Sequence, residues 1–210
     1  QQPDDADWDA GDIRYNVLRW TASPNPPFGG YGPSFTNPRT GQIIGADIML
    51  EFSFLTNRLR IKDVLQPSAS QPNGLGRLCD LGAHMQMDQM FAAQALAMNG
   101  VADALREQLI EDSMYMLILH EIGHTLGLTH NMRASQLQPD VFDEVAVAAT
   151  GLSGSVMDYE AVNVAPPGQA QTPFYQNRPG LYDHWAIEYG YAPSIADTAA
   201  EQERLQTLLA

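Results

Sequence analysis

The run HEIGHTLGLTHN, from His120 to Asn131, decides the fold expected for this chain of 210 residues. His120 and His124 are four residues apart, and residues at that spacing lie on the same face of an α-helix. Both imidazoles can therefore bind one metal ion, which is the physical content of the H-E-x-x-H motif. Glu121 lies about 100° around the helix from His120. Its carboxylate is thus expected beside the ion, where it can hold a water molecule as a general base.

A third histidine, His130, completes the predicted ligand set. If the helix continued, His130 would lie about 120° away from the ligand face. Gly127 falls in the gap, and glycine adopts a positive φ at a helix C-terminus without steric cost. We therefore predict that the chain turns at Gly127 and returns His130 to the ion. Three neutral imidazoles and one open position are typical of a single catalytic zinc ion, because structural zinc sites are closed by four protein ligands. The alternative is a helix with scattered core histidines, which does not account for the register of Gly127 and His130.

A second motif, SVMDY, occupies Ser155 to Tyr159. A long H-E-x-x-H-x-x-G-x-x-H motif followed by a methionine-containing turn resembles the metzincin clan of zinc metallopeptidases. The resemblance implies that Met157 lies beneath the three imidazoles, a position that suits a polarisable thioether. It also implies that Tyr159 lies near the metal, where its hydroxyl would stabilise an oxyanion.

The resemblance extends over most of the chain, from about Ile13 to Tyr191. Together with the zinc motif, three further segments resemble the catalytic domain of a bacterial zinc-dependent metalloprotease family: YNVLRW (Tyr15 to Trp20), NPRTGQIIGADI (Asn37 to Ile48) and YDHWAIEYGY (Tyr182 to Tyr191). The resemblance implies an α+β fold, with a small twisted mixed sheet packed on helices, an active-site helix that carries the zinc motif, and a loop-rich C-terminal lobe.

We expect one metallopeptidase domain over residues 1–210, with an N-terminal lobe at about 1–130 and a C-terminal lobe at about 131–210. Members of the resembling family are typically longer and exported. A secreted or periplasmic location and further domains of a longer precursor are therefore implied. No secretory signal is found in the polar, acidic first dozen residues, and Gln1-Gln2-Pro3 does not resemble a native start, so we interpret the chain as a mature or excised fragment.

Composition restricts the partners. The net charge is −14 with only 11 Lys and Arg residues, which argues against nucleic acid, because phosphate binding needs clustered cations. No apolar run approaches the length of about 18 residues that crosses a membrane. The expected partner is a peptide or protein substrate. Calcium is conceivable but unsupported at the aspartate-rich start of the chain, which lacks EF-hand spacing and is interpreted as a solvated tail.

Cys79 is the single cysteine, so the chain cannot form an internal disulfide. Some metzincin zymogens block the metal with a thiol from a pro-segment, and GRLCD (Gly76 to Asp80) is compatible with that role. We prefer the commoner alternative of a buried free thiol. His84 and His184 lie outside the zinc motif and are expected to be structural histidines.

Periodicity places the main elements. We predict a strand at Arg14 to Trp20 and a helix at Met85 to Asn99. The dipeptide Asn99-Gly100 is expected to end that helix. We also predict a long zinc helix from about Asp103 to Leu126, with Met114 to Leu119 buried on every side. Alternation over Gly45 to Leu55 predicts a half-buried strand, with Ala46, Ile48, Leu50, Phe52 and Phe54 on the inner face. By resemblance and by its order along the chain, this strand is the candidate for the exposed edge strand with which metzincins bind an extended peptide. The alternative is that it lies in the middle of the sheet, with both of its edges paired.

The expected function is that of a zinc-dependent endopeptidase, with Glu121 as general base and Tyr159 as an oxyanion donor. Two alternatives stay open. One is a zinc hydrolase of another amide, and the other is a catalytically silent zinc-containing module that binds peptide. The intact Glu121 argues against the silent module.

Overall fold

The computed structural model of the protein describes residues 2–23, 28–56 and 79–209. Its strands are β1 (Val17–Thr21), β2 (Gly30–Tyr31), β3 (Ser34–Thr36) and β4 (Ile43–Glu51). Its helices are α1 (Phe52–Thr56), α2 (Leu81–Met98), α3 (Ala102–Thr125), α4 (Glu144–Thr150), α5 (Leu181–Tyr191) and α6 (Thr198–Leu209). The predicted α+β class, with a small mixed sheet, is confirmed.

Strand β4 lies in the middle of the sheet. On one side it pairs in parallel with β1, from Val17 opposite Asp47 to Thr21 opposite Glu51. On the other side it pairs antiparallel with β2 and β3. The prediction that Gly45 to Leu55 forms an exposed edge is therefore wrong. The chain before β4 folds back through a turn, at which Gly41 has a φ of 73°, and covers that side.

The alternation predicted for β4 is correct only up to its end. Ile48 and Leu50 are buried as expected, but the strand ends at Glu51, and Phe52 begins α1 with 49% of its surface exposed. Glu51, which the alternation places on the face opposite Ile48 and Leu50, is only 1% exposed. Its carboxylate accepts hydrogen bonds from the Thr21 hydroxyl at 2.8 Å and from the Ser23 amide at 3.0 Å. Although burial raises the pKa of Glu51, these bonds together hold it below its ordinary value.

Helix α3 packs against β4 and β2 of the sheet, and α2 packs against α3. Both helices lie close to their predicted positions, and Gly100, with a φ of 71°, separates them. The buried face of α3 includes Leu109, Met116 and Leu117. The expectation that Met114 to Leu119 is buried on every side is wrong at Tyr115, which is 50% exposed, because the sheet and α2 cover only part of the helix.

Residues 28–36, which contain β2 and β3 and are called the strand arm below, cross α3 at very short range. The crossing lies at the turn of the helix that carries the zinc motif. A Cβ atom at Gly32 would lie 2.4 Å from the carbonyl oxygen of Glu121. A side chain at this position would collide with helix backbone, which cannot move aside as a flexible side chain can. Glycine at position 32 thus allows the sheet to pack directly against the part of α3 that bears Glu121.

The chain after α3 is rich in loops, as predicted, and is fastened back onto α3 by a buried carboxylate. Asp112 of α3 accepts hydrogen bonds from the Phe174 amide at 2.8 Å and from the Asn177 side chain at 2.9 Å. Phe174 and Tyr175 are fully buried in the same core. Among the helices that the structure describes, none is both long and apolar enough to cross a membrane.

Candidate metal centre

The end of α3 brings the third histidine of the motif back to the first two. Gly127 has a φ of 86°, which confirms the predicted turn. Its amide donates to the His124 carbonyl, and the Leu128 amide donates to the Gly123 carbonyl, both at 3.0 Å. These are the two hydrogen bonds of a Schellman cap. The chain therefore leaves the helix sharply, and His130 reaches the imidazole of His124.

Four metal-binding side chains converge at this place. The nearest ligand atoms of Cys79, His120, His124 and His130 all lie within 4.8 Å of one another. The two Nε2 atoms of His124 and His130 are 3.1 Å apart, and Cys79 Sγ lies 3.3 Å from His120 Nε2. In a tetrahedral zinc site with Zn–N of about 2.0–2.1 Å and Zn–S of about 2.3 Å, neighbouring ligand atoms are about 3.3–3.6 Å apart. The donor set and its spacing therefore fit zinc.

Backbone carbonyls orient two of the imidazoles. His120 Nδ1 lies 2.6 Å from the Val156 carbonyl oxygen, and His124 Nδ1 lies 3.1 Å from that of Leu128. An N–H at Nδ1 that donates to each carbonyl leaves Nε2 as the unprotonated atom that can bind a metal. Burial lowers the pKa of His120 to about 3 and also lowers the pKa values of His124 and His130. The three side chains are thus neutral at pH 7, the form that metal binding requires.

Glu121 is a buried carboxylate with no donor at full hydrogen-bond geometry among the described residues. It is 0% exposed, and although the Cys79 thiol and the Gly32 amide lie close enough to lower its pKa, neither forms a regular hydrogen bond with its oxygens. Burial raises its pKa to about 7. The neighbouring strand leaves little room, because a Cβ atom at Gly30 would lie 3.0 Å from Glu121 Oε1. Since burying an unpaired carboxylate is costly, this group is suited to a water molecule or cation brought to the cluster.

The turn at Ser155 to Tyr159 lies directly against the motif helix. Met157 is fully buried, and a Cβ atom at Gly123 would lie 2.3 Å from its sulfur. The Met157 carbonyl also accepts a hydrogen bond from the Asn131 amide at 2.9 Å, next to His130. The structure therefore places Met157 against the helix that carries His120 and His124, and glycine at 123 leaves space for its thioether.

A carboxylate from α5 holds this turn in place. Asp183, 4% exposed, accepts hydrogen bonds from the Ser155 hydroxyl at 2.5 Å and from the Val156 amide at 2.8 Å. It also accepts from the Gly180 amide at 2.7 Å, which caps the start of α5. Because the carbonyl of the same Val156 binds His120 Nδ1, Asp183 supports the position of an imidazole that it does not touch.

The Tyr159 ring packs against the hydrophobic core, and its hydroxyl lies beside the cluster. Its hydroxyl oxygen is 3.4 Å from His130 Nε2 and 3.2 Å from Cys79 Sγ, and it accepts a hydrogen bond from the Asp80 amide at 3.3 Å. Burial raises its pKa above the ordinary value, so the phenol keeps its proton at neutral pH. His84 and His184 are both exposed, and neither is among the four converging ligand side chains.

Three contributors to the site were not predicted from sequence. Gly123 is an unspecified position of the zinc motif, and only its contact with Met157 shows why glycine stands there. The interpretation of Cys79 as a buried free thiol is correct about burial, but it did not place the thiol beside His120. Asp183 carries a local signal in the sequence, because an acidic residue in the first turn, three residues after Gly180, is typical of a helix N-terminus.

Comparison with known families agrees with this geometry. The model of the Met-zincin family matches residues 102–210, which is just over half of the chain. The chain belongs to the Met-zincin family. Comparison with curated proteins and with solved structures found no match. The matched part of this Met-zincin contains α3 and everything after it, including the three histidines and Asp183, whereas Cys79 and the sheet precede the match.

Asp183 provides a test of how the metal centre of this Met-zincin is held. The change Asp183→Asn replaces one acceptor oxygen by a donor, so at least one of its three donors loses its partner. We expect a weakening of zinc binding by about 10- to 100-fold, the usual effect of losing support behind a ligand. Zinc affinity, measured by competition with a chromophoric chelator, checks this. Glu188→Gln on the exposed side of the same helix is the matched control. Equal affinities in the two variants would show that Asp183 has no part in orienting His120.

Proposed function

We propose that this Met-zincin is a zinc-dependent endopeptidase that hydrolyses bonds in peptide or protein substrates. The observation that carries the proposal is the fully buried carboxylate of Glu121, which lacks a donor at full hydrogen-bond geometry among the described residues, next to three converging imidazoles. A site that only stored zinc would have no use for such a group, because a buried carboxylate without a firm hydrogen bond destabilises the fold.

The proposed metal ligands are His120, His124 and His130. Their spacing fits one ion, and burial keeps all three neutral, so no proton has to leave before they bind. Zinc, when bound, would polarise a scissile carbonyl and lower the pKa of a water molecule. The contribution of the protein is to hold the imidazoles in place through the carbonyls of Val156 and Leu128.

Glu121 is the proposed general base. With a pKa raised by burial to about 7, its carboxylate can accept a proton from the attacking water and later deliver it to the leaving amine. A cation beside it favours its charged form, so the carboxylate would be ready to accept that proton at neutral pH.

Tyr159 is the proposed oxyanion donor. Its hydroxyl lies within 3.4 Å of His130 Nε2, at the edge of the cluster, and its raised pKa keeps the phenol protonated. A preorganised O–H donor stabilises charge that develops on a carbonyl oxygen during attack, and it contributes less to binding of the neutral substrate.

We also propose that the chain is exported, to the periplasm or the medium, as part of a longer precursor with further domains. The family resemblance supports this, because members of the resembling family are typically longer and exported. Fractionation of the source cells with an antibody against this domain tests it, and recovery of all the antigen from the cytoplasm would refute it.

The change Glu121→Gln separates catalysis from metal binding. Glutamine keeps the shape of the side chain but cannot accept the proton, so we expect a loss of about 10²- to 10⁴-fold in turnover, the usual contribution of a general base. Zinc content should remain at the wild-type level. Hydrolysis of casein, with and without a chelator, and metal analysis of the same samples measure both effects.

Glu111→Gln, an exposed change on the same helix, is the matched control and should leave both quantities unchanged. If Glu121→Gln keeps wild-type turnover, Glu121 is not the base. Absence of chelator-sensitive hydrolysis in both the wild type and Cys79→Ser, which lacks the thiol beside His120, would instead favour the silent peptide-binding module. Cleavage of small amides with no cleavage of peptides would favour a hydrolase of another amide.

The change Tyr159→Phe removes one hydroxyl at the edge of the cluster. We expect kcat to fall by about 10- to 1000-fold with a much smaller change in KM, because the hydroxyl would act on the oxyanion alone. Steady-state kinetics on a fluorogenic peptide measure both constants. Tyr189→Phe, which removes an exposed hydroxyl from a ring stacked on Trp185, is the control. Wild-type kinetics in Tyr159→Phe would return this tyrosine to a packing role.

A further inference from the structure

Cys79 occupies a place that the proposed mechanism does not use. Its Sγ atom lies 3.3 Å from His120 Nε2 and 3.2 Å from the Tyr159 hydroxyl, and the residue is only 5% exposed. Its sulfur belongs to the same set of mutually close ligand atoms as the three imidazoles. Three nitrogens and one sulfur at these separations form a complete set of four ligands for tetrahedral zinc.

We infer that Cys79 is the fourth protein ligand of the zinc ion, so that the arrangement described here is a closed, latent state of the site. The inference rests on the proposed function, because latency has meaning only if the site is catalytic. A catalytic zinc site needs one position free of protein ligands, and four protein ligands leave none. Hydrolysis would then require the sulfur to leave the metal.

The position of Cys79 is determined by packed structure on its C-terminal side. Leu81, the first residue of α2, is 1% exposed, and a Cβ atom at Gly82 would lie 2.6 Å from the Gly29 Cα. The start of α2 is therefore pressed against the strand arm, and this contact holds the preceding thiol over the cluster.

The residue after Cys79 engages the second proposed catalytic group. The Asp80 amide donates a hydrogen bond to the Tyr159 hydroxyl oxygen at 3.3 Å. The pair Cys79–Asp80 thus lies against both the imidazole cluster and the hydroxyl assigned to the oxyanion. A substrate carbonyl would need the same two places, so binding of substrate and the position of Cys79 exclude each other.

The chemistry of the closed state needs no oxidant or reductant. When zinc binds, the S–H bond of Cys79 breaks, the proton leaves to solvent, and the Zn–S bond forms in its place. Opening reverses this step, because the Zn–S bond breaks and the thiolate takes up a proton. The alternative is that Cys79 only fills space, as part of the core with Leu81 and Met85. That alternative places no sulfur on the metal.

X-ray absorption at the zinc edge of the wild-type protein decides between the two, and it requires neither a variant nor activity. We expect one sulfur at about 2.3 Å together with nitrogen ligands at about 2.0–2.1 Å. Cobalt-substituted protein should show the intense near-ultraviolet band of a thiolate ligand. Because the chain has a single cysteine, both signals report on Cys79 alone once methionine is excluded. The change Met157→Leu, which roughly conserves volume, is the control and should keep both signals.

The change Cys79→Ser should abolish the cobalt–thiolate band and the sulfur shell while zinc stays bound. Its initial rate of peptide hydrolysis should exceed that of the wild type, because one metal position is no longer held by sulfur. A wild-type zinc shell of nitrogen and oxygen alone would overturn the inference and leave the proposed peptidase intact. Sulfur on the metal with no hydrolysis by either protein would support the ligand and refute the peptidase.

Discussion

The hydrogen bond between His120 Nδ1 and the Val156 carbonyl, 2.6 Å long, is the interaction on which the rest of the site depends. It joins α3, which carries two of the imidazoles, to the turn that contains Met157. Behind it stands Asp183, which binds the amide of the same Val156 from a third element. Gly123 and Gly32 allow the turn and the strand arm to approach α3 at van der Waals range. Three separate parts of the chain are thus fixed around one imidazole.

This arrangement also explains why a cation is expected at the cluster. The site buries the carboxylate of Glu121 without a donor at full hydrogen-bond geometry among the described residues, and it brings the Nε2 atoms of His124 and His130 to 3.1 Å from each other. Burial raises the pKa of Glu121 and lowers that of His120, so both residues are driven towards their neutral forms. A bound cation would lower the pKa of Glu121 again, and it would take the neutral imidazole of His120 as a ligand. Metal binding would therefore stabilise the folded chain as well as serve catalysis.

What the sequence predicted correctly was local. The zinc helix and the positive φ of Gly127 follow from spacing and from the conformational freedom of glycine within one run of twelve residues. The errors and omissions concern contacts between distant segments. The central position of β4 depends on the hairpin that precedes it, and the contact of Cys79 with His120 spans 41 residues. Neither produces a periodic pattern in the sequence, because the whole fold determines which strands pair and which side chains are neighbours.

The central claim is that three histidines of one motif hold a single zinc ion, and native mass spectrometry tests it most directly. After dialysis against a weak chelator, the wild-type chain should retain one zinc, while His120→Ala, His124→Ala and His130→Ala should each lose it, since each removes a ligand. The changes His84→Ala and His184→Ala, at exposed histidines outside the cluster, should retain it. Retention of one zinc by all three motif variants, or a wild-type chain that binds none, would contradict the account.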